Sequence, residues 1–210
     1  RDGAGDSGAK GTTHTWTGLT ANTEYTGLRV TVSDQAVPTP NIAASSPQTQ
    51  WTLSVPPTSG SVTPDGDPCL PNLAVTWTAV GGFGAGKIQK YKYAWNQNPT
   101  YTWTESETDW SSGTMQTTPT AEGTWYLHIK GYNGATPAVG NGTYSYSVRV
   151  PTGAFKWIGG NGDWDFVTAD LWQDEVPMGV KYCDSRNVLL DDSATEAAPA
   201  VALNTVVSPA

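Results

Sequence analysis

The sequence predicts an all-β chain of serial modules, on three observations. Turn formers are abundant, with 23 Gly and 15 Pro in 210 residues, which suits short strands divided by tight turns. Apolar and polar residues alternate in run after run. No window sustains a helical period of apolar residues, and none is long enough to span a membrane. The runs break near Pro57 and again at 151–155, which gives three blocks: 1–57, 58–151 and 155–210.

In the first block, His14-Thr15-Trp16-Thr17 reads as a short strand and Gly18 to Thr23 as a turn. Tyr25 to Val32 reads as a second strand. Leu19 followed six residues later by Tyr25 is the spacing of a tyrosine corner. In that corner the phenol hydroxyl bonds back to nearby backbone and pins a Greek-key crossover. At these residues the chain resembles the C-terminal strands of a fibronectin type III repeat. Residues 14–32 therefore read as the back half of a sandwich whose front half is missing, so a segment of a longer polypeptide is expected. Gln50-Trp51-Thr52-Leu53 reads as the exit strand, and Pro56-Pro57 stiffens the linker after it.

The second block reads as a whole sandwich, because several short strands are divided by Gly, Pro and Asn turns. Leu73, Val75 and Trp77 share one face of an early strand. Ile88 to Trp95 carries Tyr91, Tyr93 and Trp95 on one face. Tyr101 to Thr104 and Gly113 to Thr118 are short strands. Trp125, Leu127 and Ile129 oppose Tyr126, His128 and Lys130, and Tyr144, Tyr146, Val148 and Val150 close the block. Trp77 with the late Trp125-Tyr126 and Gly131-Tyr132-Asn133 again resembles a fibronectin type III module. Two departures stand out: Thr118 to Gly123 lacks a clear corner Leu, and the loops are long.

The third block opens with Phe155-Lys156-Trp157-Ile158-Gly159-Gly160-Asn161-Gly162-Asp163-Trp164-Asp165. A further Trp at 172 follows, then Val188 to Leu190 with Asp191-Asp192-Ser193, and a strand from Val201. This run resembles the opening of the autotransporter-associated, β-helical repeat regions of large bacterial surface proteins. Such short strands cannot bury a face alone and are expected to stack on further coils. Trp157, Trp164 and Trp172 are expected to cap that start.

Charge and motifs exclude several functions. A net charge of −8 argues against a nucleic-acid partner. Cys69 and Cys183 fit no zinc pattern. A long-range disulfide, two buried thiols and pairing outside the segment all stay open for them. Asp65-Gly66-Asp67, Asp163-Trp164-Asp165 and Asp191-Asp192 are candidate calcium ligands, but none has the spacing of an EF-hand, and solvated turns are the plainer reading. Paired carboxylates across a cleft would suit glycoside hydrolysis, which the spacing alone does not point to. His14 and His128 read as surface or edge residues, and no G-x-S-x-G elbow accompanies them. Gly81 to Gly86 lacks the Lys-Ser/Thr of a phosphate loop. Asn141-Gly142-Thr143 matches a glycosylation sequon. No cofactor is expected.

The aromatics are the strongest candidates for contact. Trp16, Trp77 and Trp125 suit cores. Tyr91, Tyr93, Trp95, Trp103 and Trp110 could stack on a sugar or another protein, or fill the space between sheets. Tyr144, Tyr146, Phe155 and Trp157 flank the linker 151–154. At roughly 3.3 Å per residue this linker spans only about 13 Å, so these rings are expected to pack a fixed junction. The expectation is a non-catalytic stalk segment of a large secreted surface protein, extracellular, whose partners are copies of itself or other surface proteins. The alternatives are a glycan-binding or adhesion module, and an accessory part of a polysaccharide-degrading enzyme.

Overall fold

A computed structural model describes residues 15–34, 37–158, 162–164, 171–176, 179–180, 182–189 and 201–203, and the chain is all-β there. Among the described residues no helix is long and apolar enough to cross a membrane.

The first block is a bent ribbon. β1 (Glu24–Leu28) pairs antiparallel with β4 (Gln48–Trp51), and β2 (Thr31–Ser33) with β3 (Ile42–Ala44). The predicted strand from Tyr25 to Val32 is broken because the register shifts between Tyr25 and Leu28. Gly27, at φ +69° within that shift, takes the left-handed backbone a bulge requires. The predicted strand at Thr15 to Thr17 is not formed, and His14 lies outside the described residues.

The second block is a two-sheet sandwich. One sheet orders β5 (Val62–Pro64), β6 (Val75–Ala79) and β9 (Thr114–Thr117) as β5-β6-β9. The other orders β7 (Lys90–Asn96), β8 (Thr108–Trp110), β10 (Gly123–Tyr132) and β11 (Gly140–Val150) as β11-β10-β7-β8. The chain crosses between sheets after β6, β8 and β9, which makes the connections Greek-key. The alternation of β10 puts Leu127 and Ile129 inside at 0% exposure, facing Val75 and Trp77 of the opposite sheet in one core. Leu73 is exposed because it lies just ahead of β6. Tyr101 to Thr104, predicted as a strand, is irregular chain laid across the outer face of the larger sheet.

In the third block, β12 (Phe155–Trp157) lies inside a sheet ordered β15-β14-β12-β16. β14 (Trp172–Gln173) and β15 (Gly179–Val180) run antiparallel there, while β16 (Val188–Leu189) is parallel to β12. β13 (Gly162–Trp164) pairs in parallel with β17 (Val201–Leu203). Phe155, Trp157 and Trp172 are fully buried together, the two indoles edge to face at 5.1 Å. Cys69 and Leu70 of the second block pack against this cluster.

Trp77 sits at the centre of the sandwich, and its indole N–H donates to Thr117 Oγ1 at 2.9 Å. Replacing Thr117 with Val keeps the shape and removes the acceptor. An unpaired buried donor costs about 1–3 kcal/mol, so a urea midpoint lowered at unchanged slope is expected, and an unchanged midpoint would contradict the assignment.

Candidate functional site

Three places gather polar chemistry: an outer-face strap on the sandwich and the two junctions between blocks. The strap is the segment 97–107. The outward residues of β10 and β11 lie beneath it because alternation sends Leu127 and Ile129 inward and their neighbours outward. His128 is one of those neighbours, yet it is buried at 1% exposure. Its Nε2 lies 3.0 Å from the Asn98 carbonyl, which only accepts, so Nε2 carries the proton. Nδ1 then accepts from Ser145 Oγ at 2.7 Å. Tyr101 stacks over the imidazole at 5.3 Å, and Tyr126 lies nearly parallel on another side at 6.1 Å. Burial pushes the His128 pKa down, although the Asn98 bond opposes it. The expectation of a surface histidine is thus corrected: the strap covers it.

Glu107 anchors the strap. Its Oε1 accepts from the Thr104 amide at 2.7 Å, the Thr104 hydroxyl at 2.9 Å and the Tyr101 hydroxyl at 3.2 Å. Burial acts to raise its pKa, but the donors prevail and hold it at about 2. Glu105 pairs with Lys130 and with the Tyr132 hydroxyl. Lys92 donates to the carbonyls of Glu105 and Glu107 at 2.7 and 3.0 Å.

The five candidate contact rings divide. Tyr91 and Trp110 are buried at 4% exposure and pack on each other and on Phe83 at 5.6–5.7 Å, so neither reaches a ligand. Tyr93 and Trp95 are half-buried against the same core, and Trp95 stacks on Trp125 at 5.3 Å. Trp103 alone of the five stands on the outer face, half-buried, edge-on to Tyr101 at 5.1 Å. Trp16, expected in a core, is 38% exposed and lines an open apolar hollow of about 150 Å³ with Leu19, Tyr25, Leu28 and Trp51.

The candidate calcium ligands are otherwise engaged or outside view. Asp65 and Asp67 accept the backbone N–H groups of Thr76 and Arg149, both at 2.9 Å. Asp165, Asp191 and Asp192 lie outside the described residues, as do the side chains of Asp163 and Trp164. Among the described residues no three acidic, His or Cys groups gather as a metal site. The sequon residue Asn141 donates its amide to the Ser54 carbonyl between blocks.

At the first junction Asn22 is buried at 1% exposure. Its Nδ2 donates to Gly84 O at 2.7 Å and Gln89 Oε1 at 3.2 Å, and its Oδ1 accepts from Gly134 N at 2.7 Å. The Trp51 ring lies so close to Gly134 that a Cβ there would stand 2.8 Å from it. At the second junction Arg186, 5% exposed, pairs with Glu122 and donates to Cys69 O and Pro151 O. Its guanidinium stands 5.6 Å over the Phe155 ring. Buried Asp174 pairs with Arg149 and accepts from the Thr152 amide at 2.8 Å. Cys69 and Cys183 are joined as a disulfide. The expected junction rings are corrected in part. Phe155 and Trp157 are buried as expected, in a third-block cluster against which Cys69 and Leu70 of the second block pack, while Tyr144 and Tyr146 pack on the sandwich core. Burial, with Val62 N–H as a counteracting donor, pushes the Tyr146 phenol up to about 12.

Sequence reasoning missed Asn22, Glu107, Glu122, Asp174 and Arg186. One signal was present for two of them: Thr20-Ala21-Asn22 recurs as Thr120-Ala121-Glu122.

The strap gives a pH prediction. Glu107 has a folded pKa of about 2 against an ordinary 4.5. Its contribution is therefore complete above pH 4.5 and is lost as pH falls toward 2. His128, lowered from 6.5, contributes fully above 6.5 and loses that contribution as pH falls below it. Amide protection along 97–107, measured against the intrinsic exchange rate at each pH, should fall as pH drops through both windows. Glu107→Gln should reduce the lower step, which Glu105 and Asp109 share because their lysine partners also hold them low, and leave the upper one, and an unaltered lower step would exclude Glu107 as the anchor.

No protein-family model matches the chain, and neither a curated protein nor a solved structure does.

Proposed function

We propose that this chain is a non-catalytic stalk segment of an extracellular surface protein, in which serial β modules are held at fixed angles. The observation that carries the reading is the second junction. A buried arginine, a buried aspartate and a disulfide all bridge the sandwich and the block after it. A flexible tether needs none of these groups, and burying them is costly unless they are held in place. The disulfide supports an extracellular address, because such bonds persist where the medium is oxidising.

The module types fit the same reading. Seven strands in two sheets with Greek-key crossings are the architecture that a fibronectin type III-like module implies. The Tyr25 hydroxyl accepts from the Thr20 amide at 2.9 Å, the bond of a tyrosine corner. The parallel pairs β12–β16 and β13–β17 support a β-helical start. Partners would be copies of the chain or other surface proteins. A second reading, glycan binding, rests on Trp103 beside Tyr101 on the outer face. Loss of binding on a glycan array in Trp103→Ala would favour it.

Spin labels carried by unnatural amino acids at exposed Ser147 and Asn187 test the stalk. One narrow distance distribution is expected, and broad or double populations would refute a fixed junction. Cys183→Ser should lower stability by about 4–5 kcal/mol, as expected for opening a loop of this length, and should broaden the distribution only when Arg186→Gln is added.

A further inference from the structure

Two loops in this chain repeat each other, and each one meets the next block. Thr20-Ala21-Asn22 leads into β1, and Thr120-Ala121-Glu122 leads into β10. Five residues after each Thr stands an aromatic whose polar tip bonds back into its loop. The Tyr25 hydroxyl accepts from Thr20 N–H, and the Trp125 indole donates to the Ala121 carbonyl, both at 2.9 Å. Trp125 thus builds in the second block the corner that Tyr25 builds in the first. The third residue of each loop differs, and it is the one whose side chain leaves its own block. Asn22 reaches Gly84, Gln89 and Gly134. Glu122 reaches Arg186 through Oε1 and the Gly153 amide through Oε2, the latter at 3.1 Å.

We infer that this corner position is the specificity-determining residue for the module that follows. Asparagine carries both a donor and an acceptor, so it reads a neighbour that presents a backbone carbonyl and a backbone amide. An ionised glutamate only accepts, so it favours a neighbour that presents donors alone, and a cation above all. Each choice also rejects the other neighbour. A glutamate at position 22 would face Gly84 O and Gln89 Oε1, both acceptors, with its charge buried. An asparagine at 122 would fall short of Arg186 and leave a buried guanidinium without its counter-charge. Module order would then be written in one residue per corner. This inference rests on the serial-module reading but is tested separately from it.

The test uses the full chain with two readouts. Thiol–disulfide equilibrium with glutathione gives the effective concentration of Cys69 and Cys183, which reports docking of the third block. Exchange of the Gly134 amide reports docking of the first. Glu122→Asn should lower the effective concentration by about tenfold or more, as for a buried charge left unpaired, and leave Gly134 protected. Asn22→Glu should expose Gly134 by about 100-fold and leave the thiol equilibrium unchanged. Glu122→Arg combined with Arg186→Glu should recover part of what each loses alone. Protection of the Val75 and Leu127 amides shows that the sandwich itself remains folded, and Glu122→Gln serves as the milder variant if it does not. The inference is overturned if Glu122→Asn leaves the thiol equilibrium intact, if Asn22→Glu leaves Gly134 protected, or if either variant acts on both junctions alike. A broad wild-type spin-label distribution would refute the stalk and leave this outcome standing.

Discussion

Arg186 is the constraint on which the placement of the third block depends. A guanidinium that is always charged and almost fully buried must find acceptors in a fixed fan around it. Here every acceptor named for it belongs to the sandwich or its exit: Glu122, Cys69 O and Pro151 O. All three are lost together if the third block swings away from the sandwich. Asp174 adds an independent fix of the opposite charge on the same side, through Arg149 and Thr152. Two buried charges of opposite sign, each bridging the same two bodies, determine an orientation where one would allow rotation. The disulfide then limits how far the bodies separate when either pair opens.

The strands were legible in the sequence because alternation is a local property. β7, β9, β10 and β11 fall within a few residues of where alternation puts them. Which face of β7 is the core face was legible as well, in principle: Lys90 and Lys92 alternate with Tyr91 and Tyr93, and lysines mark the solvent side. Of the readings open for these rings, filling the space between the sheets is the one that Tyr91 and Trp110 follow. The burial of His128 was not legible. It depends on a segment about thirty residues away in sequence lying over it, through Asn98 and Tyr101. The polar junction residues escaped for the same reason. Asn22 and Arg186 sit in loops, where a polar residue reads as solvated, and only contacts with distant chain bury them.

The strap shows how an outer face can be closed without a third layer. The larger sheet turns Lys90, Lys92, Lys130 and His128 outward, which would ordinarily leave a wet, basic surface. Residues 97–107 bring Glu105 and Glu107 to that surface, and Asp109 of β8 joins them on Lys90 and Lys92 at 2.6 and 3.6 Å. The lysines here are partly exposed, so each pair contributes little alone. Their combined effect is positional: they hold the strap where Tyr101 can cover the imidazole.

Among its described residues the first block lacks what makes the second one stable. In the second, the face of β10 that carries Trp125 and Leu127 meets a complete opposing sheet, and Leu127 is sealed. In the first, the corresponding face of β1 carries Tyr25 and Leu28, and what it meets is the open hollow beside Trp16 and Trp51. Val30, Val32 and Ile42 stand more than half exposed along the same ribbon. A two-stranded ribbon is marginal on its own in water, so its order here must come from its ends. Asn22 and Trp51 supply that order by docking one end onto Gly134 and Gly84. The far end, around β2 and β3, has no comparable anchor among the described contacts. Order should therefore decline along the ribbon with distance from the sandwich.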